Sequence, residues 1–440
     1  MKTYYIKTLG CKVNRYESDG IAIELENKGL KKSKTINNAD ICIINTCTVT
    51  SKAGMQSRQA IRKIIKANPS AKIIATGCHA QIEPDKIRAI KEVDAIVNHR
   101  DKFKIPDRIF LDQLEKSQIK NSFDNNFPQR CEDNIFRSFN HLVNGEMTRA
   151  YLKIQDGCNA YCSYCIIPFA RGESRSMPQK EVIANLKGLY SQGFNEAVLT
   201  GIHIGAWGLD LNTKTSLSEL FQTIMDTDNV PRIRISSIEP KELTDCIIKF
   251  ASNNEKLCNH FHIPLQSGDD EILKKMKRPY DTKFFKNLIE KINRQIPDVS
   301  IGLDVIAGFP GETKNLFDNT YSFIESLDIS YLHVFPYSPR EGTEAFNFSH
   351  RINNHETKER CFKLRKLSDL KKKTFEKRMI DKKLKAIIQT KRDKDTNLLK
   401  TITSNYLAVL ITGEDDIKGK IVDIIPKKWD ENNRLHGILK

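Results

Sequence analysis

The stretch Gly157–Cys165, GCNAYCSYC, constrains this chain more than any other. Its cysteines Cys158, Cys162 and Cys165 are spaced C-x3-C-x2-C. Spacing that close lets three thiolates converge on one metal centre from a single loop. Thiolate is a soft donor that suits zinc, copper(I) and iron–sulfur clusters. Structural zinc sites take four ligands, commonly from two separated cysteine pairs. Three local thiolates leave one position open. An open iron on a four-iron cluster can hold a small ligand that chelates through an amine and a carboxylate. The ordinary alternative is a structural zinc loop completed by a distant ligand. A strand pattern before Cys158, and Tyr164 between the last two cysteines, weigh toward the cluster.

At roughly 150 residues per domain, 440 residues suggest about three domains. The longest apolar runs, such as Ile41–Ile44, are far too short to span a bilayer. The N-terminal MKTYYIKTLG lacks the apolar core of a signal peptide, so a cytoplasmic protein with no membrane partner is expected. Eleven cysteines, an odd number, then point to free thiols or metal ligands rather than disulfides. A formal charge of +16 favours a polyanionic partner.

In the first hundred residues three apolar runs read as buried strands: Tyr4–Thr8, Ile41–Asn45 and Lys72–Thr76. Helical patterns at Tyr16–Lys28 and Lys52–Asn68 separate them, which predicts a parallel α/β sheet. Each strand ends on a cysteine: TLGC at Cys11, NTC at Cys47 and TGC at Cys78. Ligands of open parallel sheets bind beyond the carboxyl ends of the strands, so these three can meet in space. Topology alone leaves a shared metal site and ordinary strand-end residues equally open. Asn14, Asn45 and Thr46 read as turn and cap formers, and Cys42 as a small core residue.

A polar, weakly periodic linker follows, with one helix near Asp112–Lys120, a short hairpin near its end, and Cys131 without a role. Six strand patterns then alternate with helices: Ala150–Gln155, Glu196–Thr200, Arg232–Ser236, His260–Leu265, Ser300–Ala307 and Tyr331–Pro336. They predict a partial TIM-like (βα)6 barrel with its site at the carboxyl ends of the strands. Gly-rich or polar segments fall there: TGIHIGAWG, SSIEP, PLQSG, AGFPGET and PYSPREGT. Any one of them is explained by turn chemistry; five on one rim suggest a shared cavity. Gly201, Ser236, Glu239, Gln266 and Tyr164 are candidate ligand contacts, while His203 fits a structural role as well as a cavity role. Arg171 and Arg175 in RGESRS suit a carboxylate or phosphate, or else form a solvated basic turn. Lys277 and Arg278 are candidate contacts to RNA phosphates.

Glu356–Lys385 has helical periodicity and carries 13 Lys/Arg against 5 Asp/Glu, half the net charge of the chain. Charge runs are usually solvated helix faces. Five short strand patterns follow: Lys385–Thr390, Leu398–Ile402, Leu407–Thr412, Lys420–Pro426 and Leu435–Leu439. They predict a small β-barrel of the nucleic-acid-binding kind.

Taken together the chain resembles the methylthiotransferases of the radical S-adenosylmethionine (SAM) superfamily. TLGCKVNRYES, INTCTVT and TGCHAQ carry the match at the amino terminus, GCNAYCSYCIIPFARGESRS and HIPLQSG in the centre, and TITSNYLAV in a C-terminal TRAM-like barrel. Lys12 and Val13 after Cys11, and the RG-x-x-RS pattern, resemble the branch acting on N6-threonylcarbamoyladenosine of tRNA. The resemblance implies four segments: a methylthiotransferase domain over 1–105, a linker over 106–144, a radical SAM core over 145–374 and an RNA-binding domain over 375–440. It implies two 4Fe-4S clusters, one on Cys158, Cys162 and Cys165 and one on Cys11, Cys47 and Cys78, with SAM as co-substrate. The implied reaction converts threonylcarbamoyladenosine at position 37, 3′ of the anticodon, to its 2-methylthio derivative. Its partners would be the tRNA anticodon stem-loop, an electron donor and a sulfur source, with a monomer expected. The alternatives are the same chemistry on isopentenyladenosine tRNA or on a ribosomal-protein aspartate, and, in another class, a zinc-containing RNA-binding protein without catalysis.

Overall fold

The computed structural model describes residues 1–111, 135–139 and 147–440. The helix expected near Asp112–Lys120, the hairpin near the linker's end and Cys131 lie outside the described residues. The chain divides into two compact units.

The first unit comprises residues 1–144, 155–177 and 338–347. Its sheet contains β1 (Thr3–Thr8), β2 (Lys31–Lys32), β3 (Ile41–Thr46), β4 (Lys72–Gly77) and β5 (Ala95–Ile96), in the order β2-β1-β3-β4-β5. All pairings are parallel. Every residue of β3 is buried, as expected of a continuous apolar run in a two-sided parallel sheet. Cys42, Ile44, Ile73 and Ala75 form its core with Ile61 and Ile64 of the helix Ser51–Ala67. Thr50 caps that helix by accepting from the Ala53 amide. The helix Lys12–Asn27 starts four residues earlier than its periodicity suggests, because Cys11 itself is the N-cap.

After β6 (Ala150–Lys153), which belongs to the second unit, the chain returns to the first as β7 (Gln155–Asp156), paired antiparallel with β8 (Arg175–Ser176).

The second unit holds the six expected barrel strands: β6, β9 (Glu196–Thr200), β10 (Arg232–Ile235), β11 (His260–Gln266), β12 (Ser300–Ala307) and β13 (Tyr331–Pro336). They form two parallel three-stranded sheets, β10-β9-β6 and β11-β12-β13. Parallel bridges Ile233–Leu257 and Ser237–His262 link the two halves. A closed barrel follows, of β14 (Leu384–Ile388), β15 (Leu399–Thr403), β16 (Ala408–Ile411), β17 (Ile421–Trp429) and β18 (Leu435–Leu439). The helix Asn354–Met379 runs past residue 374, where the radical SAM core was expected to end. Its Phe375 and Met379 belong to the core of the closed barrel.

The closed barrel is fastened to the start of β10. Arg232 donates to the carbonyls of Lys385 and Ile402, and Arg234 to those of Thr403 and Ser404. Both also bind buried Glu196. Burial pushes that carboxyl up, but Arg234, Arg232 and Arg149 outweigh it and hold it at about 2.

Candidate metal centres

Parallel register decides where the first cysteine triad lies. Thr8 pairs with Asn45, Asn45 with Thr76 and Thr46 with Gly77. Cys47 and Cys78 therefore directly follow paired residues, and Cys11 ends the short turn after β1, at the same sheet edge. The three thiols are close enough that ionising one raises the pKa of its neighbours. Gly10, at φ +97°, permits this approach, since a Cβ there would stand 2.8 Å from Cys47 Sγ. Cys47 is further fixed by Ser57, whose hydroxyl accepts from the Cys47 amide (3.1 Å) and donates to its carbonyl (3.0 Å).

The second triad sits between β7 and the helix Ile167–Arg171, with all three cysteines half-buried. The Cys158 amide donates to the Gly172 carbonyl (3.0 Å) and the Cys165 amide to the Cys162 carbonyl (2.9 Å). Gln155 Nε2 bonds the Asp156 and Gly157 carbonyls and Ser174 Oγ. Gly157 lies at φ +73° against the Glu173 carbonyl, which leaves no room for a side chain.

One buried network ties the two cysteine loops together. Arg171 Nη1 donates to Asp156 (2.9 Å) and Glu17 (3.1 Å), and Nη2 to Asn14 (2.6 Å). Asn14 in turn donates to the carbonyls of Leu9 and Thr46, beside Cys11 and Cys47. Asp156 accepts from the Gly157 amide at the start of the second loop. Lys102 completes the charge balance on Glu17 at 2.6 Å. Glu17, Lys102 and Arg171 are all fully buried.

This arrangement corrects two assignments. Arg171 and Arg175 were candidate substrate contacts, but both are buried, and Arg175 donates to the Arg171 carbonyl. Their guanidinium groups bind the protein's own carboxylates and carbonyls, because those partners are already desolvated and pre-placed. PYSPREGT is likewise a docking segment in part: Arg340 donates to Thr48 (2.6 Å) in the INTCTVT loop. Asn14 and Asn45 hold strand ends as expected, whereas Glu17, Lys102, Asp156 and Ser57 escaped sequence analysis. The available signal was Glu17 itself, a charge on the same helical stripe as Val13 and Ile21.

In the second unit Gly201, Ser236 and Gln266 stand at the carboxyl ends of β9, β10 and β11, with Glu239 three residues after Ser236. Ser236 Oγ is buried and has no hydrogen-bond partner among the described residues. Gln266 adopts φ +69° at a register shift in β11. Arg278 does not face RNA: it is buried, ion-paired with Glu239 and hydrogen-bonded to Tyr280 (2.9 Å). Lys277 is exposed. His203 lies 2.6 Å from Glu242. Tyr164 is half-buried in the loop of the first unit.

The donor sets fit iron–sulfur clusters. Burial pushes Cys47 up to about 11 and raises Cys78, while Arg171 opposes both shifts. These thiols are neutral until a metal displaces their protons. Arg171 Nε is a buried donor with no partner among the described residues, on a side chain that senses the charge of Cys78, Cys11 and Cys47. A negatively charged cluster on these thiols would be stabilised by that guanidinium's charge.

His99 gives the unit a pH signature. Burial, with Lys102 and Arg171 nearby, lowers its pKa to about 3, although Asp156 lies 3.4 Å away. A histidine depressed in the fold stabilises it fully above the unfolded value of roughly 6.5, and that stability is lost as pH falls toward 3. We expect the urea midpoint to fall between pH 6.5 and 4, and His99→Gln to flatten that limb. An equal slope in the variant would assign the loss elsewhere.

The amino-terminal region, residues 3–98, matches the Uncharacterized protein family UPF0004, and residues 152–324 match the Radical SAM superfamily. The chain is 39% identical over 427 residues to the threonylcarbamoyladenosine tRNA methylthiotransferase MtaB of Bacillus subtilis, covering 96% of this chain and 93% of that protein. The chain belongs to the radical SAM methylthiotransferases. Within that family, the tRNA-2-methylthio-N(6)-dimethylallyladenosine synthase of Clostridium tetani is less similar, at 32% identity over 96% of this chain and 93% of its own length. The fold of the solved radical SAM methyltransferase TsrM from Kitasatospora setae is similar at TM-score 0.54 and 14% identity, over 76% of this chain and 75% of that one.

Proposed function

We propose that this methylthiotransferase acts on tRNA, converting N6-threonylcarbamoyladenosine at position 37 to its 2-methylthio derivative. The observation that carries the reading is the pair of cysteine triads tied into one buried network, in a chain similar along nearly its whole length to a threonylcarbamoyladenosine enzyme. Cys158, Cys162 and Cys165 hold one 4Fe-4S cluster and Cys11, Cys47 and Cys78 the other. With SAM, these groups supply radical activation of the adenine C2–H bond, the sulfur and the methyl group. The protein's part is placement and exclusion of water. Asn14, Ser57 and Gln155 fix the backbone on which the thiols stand. Tyr164, Gly201, Ser236, Glu239 and Gln266 are assigned to SAM, with Arg278 orienting the Glu239 carboxylate rather than touching nucleic acid. Lys277 and the basic C-terminal region meet the anticodon stem-loop through its phosphates.

The protein works in the cytoplasm as a monomer, served by an electron donor and a sulfur source. Among the described residues no helix is long and apolar enough to cross a membrane. The test is anaerobic reconstitution followed by incubation with SAM and a threonylcarbamoylated stem-loop. About eight irons per chain, 5′-deoxyadenosine and a thiomethylated nucleoside are expected. Thiomethylation of an isopentenyladenosine stem-loop alone would overturn the substrate assignment. Zinc without SAM cleavage would overturn the enzyme.

A further inference from the structure

Three adjacent strands of the second unit bring together three metal-binding side chains that play no part in the chemistry above. They are His262 of β11, Asp304 of β12 and His333 of β13. Asp304 pairs in register with His333, and His262 with Gly302, two residues before Asp304. Residues two apart share a face of a strand. The three side chains therefore rise from one face of the β11-β12-β13 sheet.

Their spacing is compatible with three ligands around one ion. Asp304 Oδ1 lies 3.3 Å from His262 Nε2 and 3.4 Å from His333 Nδ1, and all three atoms lie within 4.8 Å of one another. An ordinary N–H···O bond is roughly 2.7–3.2 Å long. Ligands about 2.0–2.1 Å from a tetrahedral zinc stand roughly 3.3–3.4 Å apart. His262 is 7% exposed, and among the described residues the group facing its buried Nε2 is the Asp304 carboxylate.

The surroundings are those of a ligand set. Ser237 Oγ lies 2.9 Å from His262 Nδ1, which fixes the ring and leaves Nε2 toward Asp304. The Asp304 carboxylate faces both imidazoles. The His333 side chain is 54% exposed, which gives an ion a route in. The other His/carboxylate cluster, Glu17, His99 and Asp156, differs: Lys102 and Arg171 already supply its positive charge.

We propose that His262, Asp304 and His333 form a binding site for a divalent transition-metal ion, with one coordination position open to an oxygen donor. Two imidazoles and a carboxylate suit zinc, ferrous iron or manganese. The site uses none of the six triad cysteines and does not rest on the tRNA assignment.

The probe is zinc alone, added to enzyme whose clusters are already in place. After gel filtration, about one zinc per chain is expected, with the iron content unchanged. Zinc K-edge absorption should show a shell of nitrogen and oxygen without sulfur. Asp304→Asn and His333→Ala, the latter at a half-exposed position, should each weaken zinc retention by about tenfold or more while keeping the parent's iron content and melting temperature. Equal zinc retention in both variants, sulfur in the shell, or no retained zinc in the parent protein would each overturn the site.

Discussion

Cys47→Ala should leave SAM cleavage intact and abolish thiomethylated product, whereas Cys162→Ala should abolish both. Iron should fall from about eight to about four per chain in either variant. Cys47 follows β3 at the sheet edge it shares with Cys11 and Cys78, and the hydrogen bonds of Arg171 go to Glu17, Asp156 and Asn14 instead. Removing its sulfur deletes a ligand of one triad, while Asp156 and Gln155 still hold the Cys158 loop. The structural cost of losing one small buried side chain is on the order of 1 kcal/mol. Lost product therefore cannot be put down to unfolding, and retained SAM cleavage is the internal control. Iron by elemental analysis, 5′-deoxyadenosine by chromatography and the modified nucleoside by mass spectrometry read the three quantities separately. A Cys47→Ala enzyme that still makes the thiomethylated nucleoside would end the division of labour between the triads.

The fold was legible wherever local pattern and tertiary burial agree. Ile41–Ile44 can only be a strand buried on both faces, and the barrel strands lie within a residue or two of their predicted limits. The start of the first helix was not legible, because cysteine is no preferred N-cap and Cys11 makes no side-chain capping bond. At the site, the cysteines could be read because short spacing and strand-end position are properties of sequence and topology. The arginines could not. Arg171 finds Glu17 across 154 residues of chain, and Arg278 finds Glu239 across 39. A basic residue beside a loop looks the same whether its partner is a substrate anion or a distant carboxylate of the protein. The His262, Asp304 and His333 cluster escaped for the same reason: only the parallel register of three strands assembles it.

Arg171→Met should be the most destabilising single change in the first unit, at about 3–5 kcal/mol, because it leaves buried carboxylates without their cation. At roughly 2–4 °C per kcal/mol for a unit of this size, the melting temperature should fall by about 6–20 °C. Glu17 keeps Lys102, so the burden falls on Asp156, whose other cation, Arg175, is 4.0 Å away. Arg171→Lys should recover part of the loss. It restores the charge but not the fork that reaches Glu17, Asp156 and Asn14 together. The deficit should also depend on pH. Arg171 is one of the charges that hold His99 neutral. Without it His99 gains a proton more readily and pairs with Asp156. The parent protein loses stability as pH falls below about 6.5 because His99 must stay uncharged; the variant, released from that demand, loses less. The gap between them should therefore narrow on acidification, whereas the gap between His99→Gln and the His99→Gln/Arg171→Met double variant, both without that imidazole, should not change with pH. Urea midpoints of the anaerobically prepared protein between pH 5 and 8 supply the measurement. A deficit below about 1 kcal/mol, in the range of ordinary surface substitutions, would mean that Arg171 does not hold the two cysteine loops together.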